Sequence, residues 1–480
     1  MGRTVIAEDL LQDRIQEILK TSGKGIITGL LVGQAHGQKR EDYVVHLIRT
    51  PKIEEDTQQA GKKKKKGSAT RSESLDSQWI AEHAKQVQRM LPGGLNILGI
   101  FVVLPSEENR NIQSQLIQVL YTVHKTLLKT PWQKAVKTEV DEEEQHRIVL
   151  QICSVTKKFT TKTFNVVDPR DSGTVAEWKF QSVVSQWPLL HTAVTVNINI
   201  PVLRGEATKS LHQQLDTAIG PFCECIMQGL CTFNGVLRKG DQPLLAQEPP
   251  QSKKGHGKGK GRHKESKTSH QPTSDGPEMF CVQILSKATN NKSKEVMVTE
   301  CGGTVFIRGL IQARAYVHSK ATVAQASQAI REDVVRSLTA RCELLAEDVL
   351  EVKDFTADQE EMDITPRRVF GRLHDTHLSV CDYMFEDEGV EDCTARCQEL
   401  LDITLAPDDV EIDAERLPEP EELEKPMCEL MGDEEEEETD GEDVVNAQAS
   451  WEKWKKSYIG TMIGAGIAVV VSGLFMYLEN

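Results

Sequence analysis

The order of hydrophobic and polar positions along the chain predicts a mixed α/β fold. Short apolar runs and one alternating stretch indicate strands, whereas apolar residues spaced three and four apart indicate helices. The predicted strands are 25–32, 43–48, 95–104, 146–154, 160–167, 192–200, 279–285, 294–298, 305–317, 369–373 and 378–384. The predicted helices are 77–91, 112–128, 211–230 and 323–349. The expected fold class is therefore α/β (α+β).

Two of these segments carry the clearest periodicity. Ile80, Ala84, Val87 and Leu91 share one helical face, and Pro92-Gly93-Gly94 ends that helix. Every second residue from Thr192 to Ile200 faces the same side of a strand, which predicts a half-buried strand.

Composition along the chain predicts its division into parts. Residues 1–236 and 278–406 form two α/β domains, separated by a low-complexity linker at 237–277 and followed by an acidic tether at 407–450. Five lysines at Lys62–Lys66 indicate a solvated loop or a contact with acidic lipid headgroups. The Lys/Gly repeat of 247–277 has no interleaved aromatic residue for base stacking, so a linker is preferred to an RNA contact.

The strongest single signal is the segment 459–478, which holds 20 residues and no charge. A helix of this length would be about 30 Å long, the thickness of a bilayer core. The sequence therefore predicts a single transmembrane helix and a lipid bilayer as a partner. A buried core helix is the alternative. The residues assigned to the span include Ile459, Gly460, Gly464, Gly466, Val470, Leu474 and Leu478.

Residues flanking this segment predict its orientation. Lysines precede it and only Glu479 and Asn480 follow, so the N-terminal body is expected on the cytosolic side, with insertion after synthesis. The start of the chain lacks a secretory signal pattern. The residues assigned to the membrane interface are Trp451, Trp454, Lys455, Lys456, Tyr458 and Tyr477.

Charge and cysteine content narrow the possible partners. The formal net charge is -16, so no nucleic-acid partner is expected. The 11 cysteines are scattered, which favours reduced thiols over a disulfide framework. Cys223 with Cys225 and Cys393 with Cys397 could suggest a metal, but neither pair has the second pair that a zinc site needs. No metal or cofactor is expected.

Motifs that carry catalysis are missing from the sequence. There is no His-Glu-x-x-His, no Gly-x-Ser-x-Gly and no phosphate-binding Gly-rich loop ahead of a helix. The sequence does not exclude a cysteine nucleophile, because the fold could bring a histidine close to a cysteine. The expectation is a protein with no catalytic residues.

Several short motifs, taken together, resemble the odorant response abnormal protein 4 family, and they cover most of the chain. The stretches that carry the resemblance are Gly29-Leu-Leu-Val-Gly-Gln34, Asp42-Tyr-Val44, Glu82-His-Ala84, Arg89-Met-Leu-Pro-Gly-Gly-Leu95, Trp178-Lys179, Ile198-Asn-Ile-Pro201, Arg314-Ala-Tyr-Val-His318, Arg341-Cys-Glu-Leu344 and Cys381-Asp-Tyr383.

The resemblance implies a role in trafficking a subset of G-protein-coupled receptors, odorant receptors among them, from the endoplasmic reticulum. It also implies a link to a ubiquitin-fold-modifier-specific cysteine protease, held at that membrane. The first domain is similar to an MPN-type fold, yet residues 91–98 lack the histidines of active MPN metalloproteases. Zinc-dependent hydrolysis is therefore unsupported.

Three functional hypotheses follow. The preferred one is a membrane-anchored, non-catalytic adaptor on the endoplasmic reticulum. The second is a hydrolase or pseudo-hydrolase of ubiquitin-like conjugates. The third places the anchor in the mitochondrial outer membrane, which the lack of basic residues after the span disfavours.

Overall fold

The computed structural model describes residues 2–21, 25–36, 40–52, 75–105, 110–136, 146–168, 170–203, 209–245, 277–286, 301–351, 365–373, 375–415 and 468–472. All structural statements below concern these residues.

A closed barrel of seven strands forms the first layer. Its order is β1-β3-β2-β4-β5-β6-β7, and β1 closes it by pairing in parallel with both β3 and β7. The strands are β1 (Thr4–Ala7), β2 (Ile27–His36), β3 (Glu41–Arg49), β4 (Asn96–Leu104), β5 (His146–Cys153), β6 (Phe159–Asn165) and β7 (Thr174–Phe180).

Both faces of the central barrel strands are buried. In β4, Ile100 and Val102 join one hydrophobic cluster, whereas Phe101 and Val103 join another. This explains why β4 has a continuous apolar run rather than an alternating pattern. Helix α1 (Leu11–Thr21) covers the second cluster with three buried residues, Leu11, Ile15 and Ile18.

Helices α2 (Ser77–Arg89) and α3 (Arg110–Leu127) cover the first cluster. The Asp76 carboxylate caps α2 by accepting the backbone N–H groups of Gln78 and Trp79, each at 3.0 Å. Because these N–H groups have no partner within the helix, an aspartate at this position favours its start. The apolar face predicted for this helix is buried, as expected.

A second sheet packs beside the barrel with the order β10-β9-β11-β8-β12-β16. Its longest pair joins β8 and β12 in antiparallel register from Tyr316↔Leu189 to Cys301↔Leu203. Its strands are β8 (Leu189–Leu203), β9 (Leu230–Phe233), β10 (Val236–Leu237), β11 (Met279–Leu285), β12 (Cys301–Tyr316) and β16 (Ala468–Ser472). Its helices are α4 (Pro131–Val136), α5 (Leu211–Gln228) and α6 (Val323–Glu351).

A small third sheet completes the described fold. It has the order β14-β13-β15 and comprises β13 (Arg367–Arg372), β14 (Ser379–Met384) and β15 (Val410–Glu411). Helix α7 (Val390–Leu401) follows β14. Side chains of these elements, such as Val369, Met384 and Leu401, join the barrel cluster that also contains α2.

Mixed α/β architecture is confirmed, and so are the helices and strands predicted before residue 407, except the strand at 294–298, which lies outside the described residues. The likeness of the first domain to an MPN-type fold is not confirmed by the closed barrel. Elements that the sequence pattern missed are β1, β7, β9, β10, β15, α1, α4 and α7.

Strand pairing crosses the predicted limits of the two α/β domains. Strand β8, from the first, pairs with β11 and β12 of the second. Conversely, Val369 and Leu401, from the second, pack in the barrel cluster. The two predicted parts therefore share one sheet and one core. The linker at 237–277 lies largely outside the described residues, and the boundaries stay a prediction.

Of the predicted membrane helix at 459–478, the structure describes only residues 468–472. Ala468–Ser472 form a strand, β16, antiparallel to β12, with Val470 opposite Phe306. Three consecutive valines suit a strand, and an unpaired edge of β12 offers the backbone partners. The remaining span and interface residues lie outside the described part. Among the helices described, none has the length and apolar character needed to cross a bilayer.

Candidate functional site

Four of the nine stretches that carry the family resemblance meet at one place in the fold. The turn at residues 91–95 follows α2 and contacts the end of β12, the start of α6 and the third sheet. We call this place the motif junction and define it by Gln34, residues 91–95, Arg314–His318, Asp333, Arg336, Arg341, Arg368 and Glu415.

The 91–95 turn is attached to β12 through its backbone. The Gly93 N–H donates to the Arg314 carbonyl, and the Tyr316 N–H donates to the Gly93 carbonyl, both at 2.9 Å. Gly94 has φ +78, and a Cβ atom there would overlap the Tyr316 carbonyl oxygen. Glycine is therefore required at this position for conformation and for space.

Arg336, on α6, holds the carbonyl groups of the same turn. Its guanidinium donates to the Leu91 carbonyl at 2.8 Å and the Leu95 carbonyl at 3.2 Å, and it lies 4.5 Å from the centre of the Trp132 ring. The side chain is fully buried, and burial lowers its pKa. These contacts use a charged residue to satisfy backbone groups that would otherwise be buried without partners.

Gln34, at the end of β2, links the turn to β12 from the barrel side. Its side-chain amide donates to the carbonyls of Gly94 at 3.0 Å and Tyr316 at 3.2 Å, while its oxygen accepts the His318 N–H at 2.6 Å. One side chain thus joins the barrel, the turn and the second sheet.

Two buried ion pairs complete the junction. Arg368 binds Asp333 through two hydrogen bonds of 2.6 and 2.9 Å, and both side chains have no solvent exposure. Arg341 binds Glu415 through two bonds of 2.6 and 2.7 Å. Each carboxylate also accepts backbone N–H groups: Asp333 from Arg314 at 2.9 Å, and Glu415 from Gln312 at 2.7 Å and Arg368 at 2.8 Å.

A groove of about 760 Å³ opens beside the junction, lined by Gln34, Gly94 and His318 and also by Trp132 and Arg147. The His318 ring lies 4.3 Å from the His36 ring. The lining offers amide, guanidinium and imidazole groups, so the groove can accept polar groups of a peptide. No group of three or more His, Cys, Asp or Glu in the described part could hold a metal ion.

The end of α7 forms a second polar cluster, which sequence reasoning missed. The ring Nε2–H of His83 donates to the Leu400 carbonyl at 2.8 Å, and that of His46 to the Leu401 carbonyl at 3.3 Å. Arg49 binds the Asp402 carboxylate through two bonds of 2.6 Å. Burial lowers the pKa of His46 to about 4, so the ring is neutral at pH 7.

A sequence signal for α7 was present in the spacing of Cys393, Cys397 and Leu401. These residues recur every fourth position and are the buried face of the helix. The Cys pair that could have suggested a metal is therefore part of the packing of α7.

Five of the described thiols have environments that favour the protonated form. Burial raises the pKa of Cys223 to about 12 and that of Cys381 to about 11. Burial also raises the pKa values of Cys231, Cys281 and Cys342. Cysteine nucleophiles act as thiolates and need a lowered pKa, which none of these five groups has.

These contacts define a class of protein: a mixed α/β scaffold whose motif residues hold a barrel, a second sheet and a small third sheet together. A family description, Odorant response abnormal 4-like, matches residues 29–412. The chain belongs to this family, which confirms the resemblance found in the sequence.

Individual relatives agree with this assignment. Protein odr-4 homolog of Homo sapiens is 33% identical over 418 residues, covering 86% of this chain and 86% of that protein. Odorant response abnormal protein 4 of Caenorhabditis elegans is 24% identical over 364 residues, covering 74% of this chain and 69% of that protein.

Among solved structures, UfSP from C. elegans matches with a TM-score of 0.39 and 9% identity. The match covers 84% of this chain and 57% of that chain. At this TM-score the likeness carries no argument about fold or function.

Proposed function

We propose that this chain is a non-catalytic adaptor, anchored in the endoplasmic reticulum membrane with its body in the cytosol, that serves the trafficking of a subset of G-protein-coupled receptors, odorant receptors among them. The family match over residues 29–412 is the observation that carries this proposal. The name of the C. elegans relative, Odorant response abnormal protein 4, connects the family with the response to odorants.

The proposed mechanism is recruitment. The body binds a ubiquitin-fold-modifier-specific cysteine protease and receptor segments, and the tail keeps them at the membrane. The groove beside the motif junction is a surface that can accept a peptide, because it combines about 760 Å³ with amide and guanidinium groups. In this proposal the first domain is MPN-like but lacks zinc ligands.

The proposed anchor is the uncharged segment 459–478. Insertion into a bilayer and the pairing of Ala468–Ser472 with β12 exclude each other. A single strand in lipid would leave backbone N–H and C=O groups without partners, so the inserted form must be helical. Anchoring therefore frees the β12 edge at Thr304–Arg308.

Use of the motifs for packing supports an adaptor over an enzyme. Arg336, Arg341 and Arg368 bind buried carbonyls and carboxylates, and the raised pKa values of the five thiols named above disfavour cysteine catalysis by them. Hydrolysis of ubiquitin-like conjugates is the second candidate, and it rests on the link to a modifier protease alone.

The test is affinity capture of the full-length chain solubilised from membranes, with mass spectrometry of the partners and a turnover assay on modifier conjugates. We expect the cysteine protease and receptors to copurify, with turnover that disappears when the protease is removed. Turnover by the chain alone would overturn the adaptor proposal in favour of the hydrolase.

Location is tested separately with a fluorescent fusion of residues 445–480. We expect it to label the endoplasmic reticulum. Labelling of mitochondria would instead place the anchor in the mitochondrial outer membrane. The adaptor proposal would still stand.

A further inference from the structure

Exposed apolar side chains are concentrated at one corner of the second sheet. Of the large hydrophobic residues that the described part exposes, five lie on the adjoining strands β9, β10 and β11. They are Leu230, Val236, Leu237, Met279 and Leu285, each between 41% and 61% exposed. The remaining ones are dispersed over the barrel and the helices. We call the three leucines, Leu230, Leu237 and Leu285, the apolar corner.

The sheet register brings these residues together. Leu285 lies directly opposite Leu230, and Leu237 lies opposite Thr232 on the next strand. Directly opposed residues of an antiparallel pair share a face, so the two leucines lie side by side. Leu237 lies on this same face, two residues along the sheet, so the three leucines form one patch, whereas Val236, opposite the buried Phe233, faces the other side and Met279 lies six residues away along β11.

The corner is also rigidly supported. Asn234 and Gly235, both with positive φ, form the tight turn between β9 and β10, and the Asn234 side chain accepts the Cys281 N–H at 2.8 Å. On the opposite face, Phe233 and Phe280 are buried with ring centres 6.1 Å apart. Because the inner face supplies the packing, the outward side chains are not needed to hold the strands.

The chain next to this corner is basic. The described part stops at Leu245, after β10, and resumes at Pro277, two residues before β11. The sequence between these points contains seven Lys and Arg residues against three Asp and Glu residues. Arg238 and the exposed Lys239 follow β10 directly. A surface that meets Leu237 therefore also meets the charge of these two residues.

Composition distinguishes between a lipid and a protein as the occupant. Protein interfaces draw their binding energy from Trp, Tyr and Arg, are poor in Leu and Val at hot spots, and are depleted in Lys. The corner has aliphatic side chains only and lies next to Arg238 and Lys239. Aliphatic residues flanked by Lys and Arg are typical of surfaces that enter the headgroup region of anionic membranes.

We propose that the apolar corner inserts into the surface of a bilayer that contains anionic headgroups. This inference rests on the proposed membrane anchor in one respect, since the tail would bring the body close to the bilayer. The corner would then fix which side of the body faces the lipid, and the groove would take a defined orientation relative to the membrane.

The test uses the full-length chain reconstituted into nanodiscs of phosphatidylcholine alone or with phosphatidylserine, and compares it with the chain in detergent. Backbone hydrogen exchange is measured for peptides that cover 230–237 and 279–285. We expect at least threefold slower exchange in discs with phosphatidylserine than in detergent. The double variant Leu237→Glu/Leu285→Glu should abolish this difference.

The matched control is the double variant Val155→Glu/Val175→Glu, which places the same charge at two exposed aliphatic positions of the barrel side. It should retain the slower exchange at the corner. Equal exchange rates in detergent and in discs with phosphatidylserine would overturn the inference. Slowing that grows with protein concentration in detergent would also overturn it, because a second copy would then cover the corner.

Comigration of the chain with the discs reports on the tail independently. Comigration without slower hydrogen exchange at the corner would refute insertion of the corner but not the membrane anchor. In a second experiment, phosphatidylserine vesicles are added to the chain. If exchange at the corner slows but carbonate still extracts the chain from the vesicles, the membrane anchor is refuted and insertion of the corner is supported.

Discussion

The motif junction and the apolar corner use their side chains in opposite ways. At the junction, charged residues such as Arg368 and Asp333 are fully buried and bind each other and the backbone. At the corner, aliphatic residues such as Leu230 and Leu237 are more than half exposed. The first region pairs its buried carboxylates with guanidinium and backbone N–H groups, whereas the second leaves apolar surface in water.

Side chains at the junction therefore contribute mainly to stability, whereas those at the corner are available for binding. A buried charge that loses its partner is costly, so residues at the junction are constrained by the fold itself. An exposed leucine contributes little to folding, so its presence at the corner calls for another explanation. Substitutions should therefore affect stability strongly at the junction and weakly at the corner.

The largest expected effect follows from breaking a buried ion pair. Arg368→Met leaves the Asp333 carboxylate buried without its partner, and we expect the free energy of unfolding to fall by about 3–5 kcal/mol. Chemical denaturation followed by circular dichroism measures this. The control is Lys179→Met, which breaks the exposed pair with Glu177 and should cost less than about 1 kcal/mol. Similar losses in the two variants would contradict the role given to the junction.

A smaller loss is expected from Gly94→Ala in the turn of the junction. The new Cβ atom meets the Tyr316 carbonyl, and alanine disfavours the positive φ, so the unfolding free energy should fall by about 2–4 kcal/mol. Gly220→Ala on α5 is the matched control, because no atom lies within 4 Å of its new Cβ. It should be neutral or stabilising by up to about 1 kcal/mol. Equal behaviour of both variants would show that the turn is not constrained.

An intermediate effect is expected from pH at the end of α7. His46 has a pKa of about 4 in the folded chain against 6.5 as its ordinary value, because burial disfavours the charged ring. Between these values the unfolded chain binds more protons, so this histidine's contribution is complete above pH 6.5 and is lost as the pH falls towards 4. We expect a contribution of about 1–2 kcal/mol to the loss over this range.

His46→Gln tests the assignment, since the glutamine amide can still donate to the Leu401 carbonyl but does not titrate. The variant should have a shallower dependence of unfolding free energy on pH between 6.5 and 4, with little change at pH 8. An unchanged slope would mean that His46 is not the titrating group.

The smallest effect is expected at the corner. Leu237→Glu should change the unfolding free energy of the detergent-solubilised chain by less than about 0.5 kcal/mol, because the side chain is 61% exposed. Thermal unfolding compares the variant with the parent chain. A loss as large as that of Gly94→Ala would make the corner part of the core and remove the contrast between the two regions.

Long, strongly periodic elements were predictable from the sequence, because their pattern repeats many times. Helix α6 and strands β8 and β12 are examples. Strands β1 and β10 have only four and two residues, too few for a period to be recognised. Helix α7 was missed because two of its buried positions are cysteines, which were considered as metal ligands instead.

Long-range partners could not be predicted by pattern. The sequence does not indicate that β8 pairs with β12 across about 100 residues, or that Glu415 enters the core to bind Arg341. Charged residues are assigned to the surface by default, since burial depends on a partner that is distant along the chain. The motifs were recognised as a set, but the convergence of four of them at one junction required the fold.

The central claim, that the body acts as an adaptor only when it is held at a membrane, is tested most directly by complementation. Cells that lack this chain would receive the full-length chain, the chain without residues 451–480, or the chain with those residues replaced by an unrelated tail anchor of the endoplasmic reticulum. Surface delivery of an odorant receptor is the measurement. The account predicts full delivery with the replaced anchor and loss of delivery on deletion; full delivery without any anchor would contradict it.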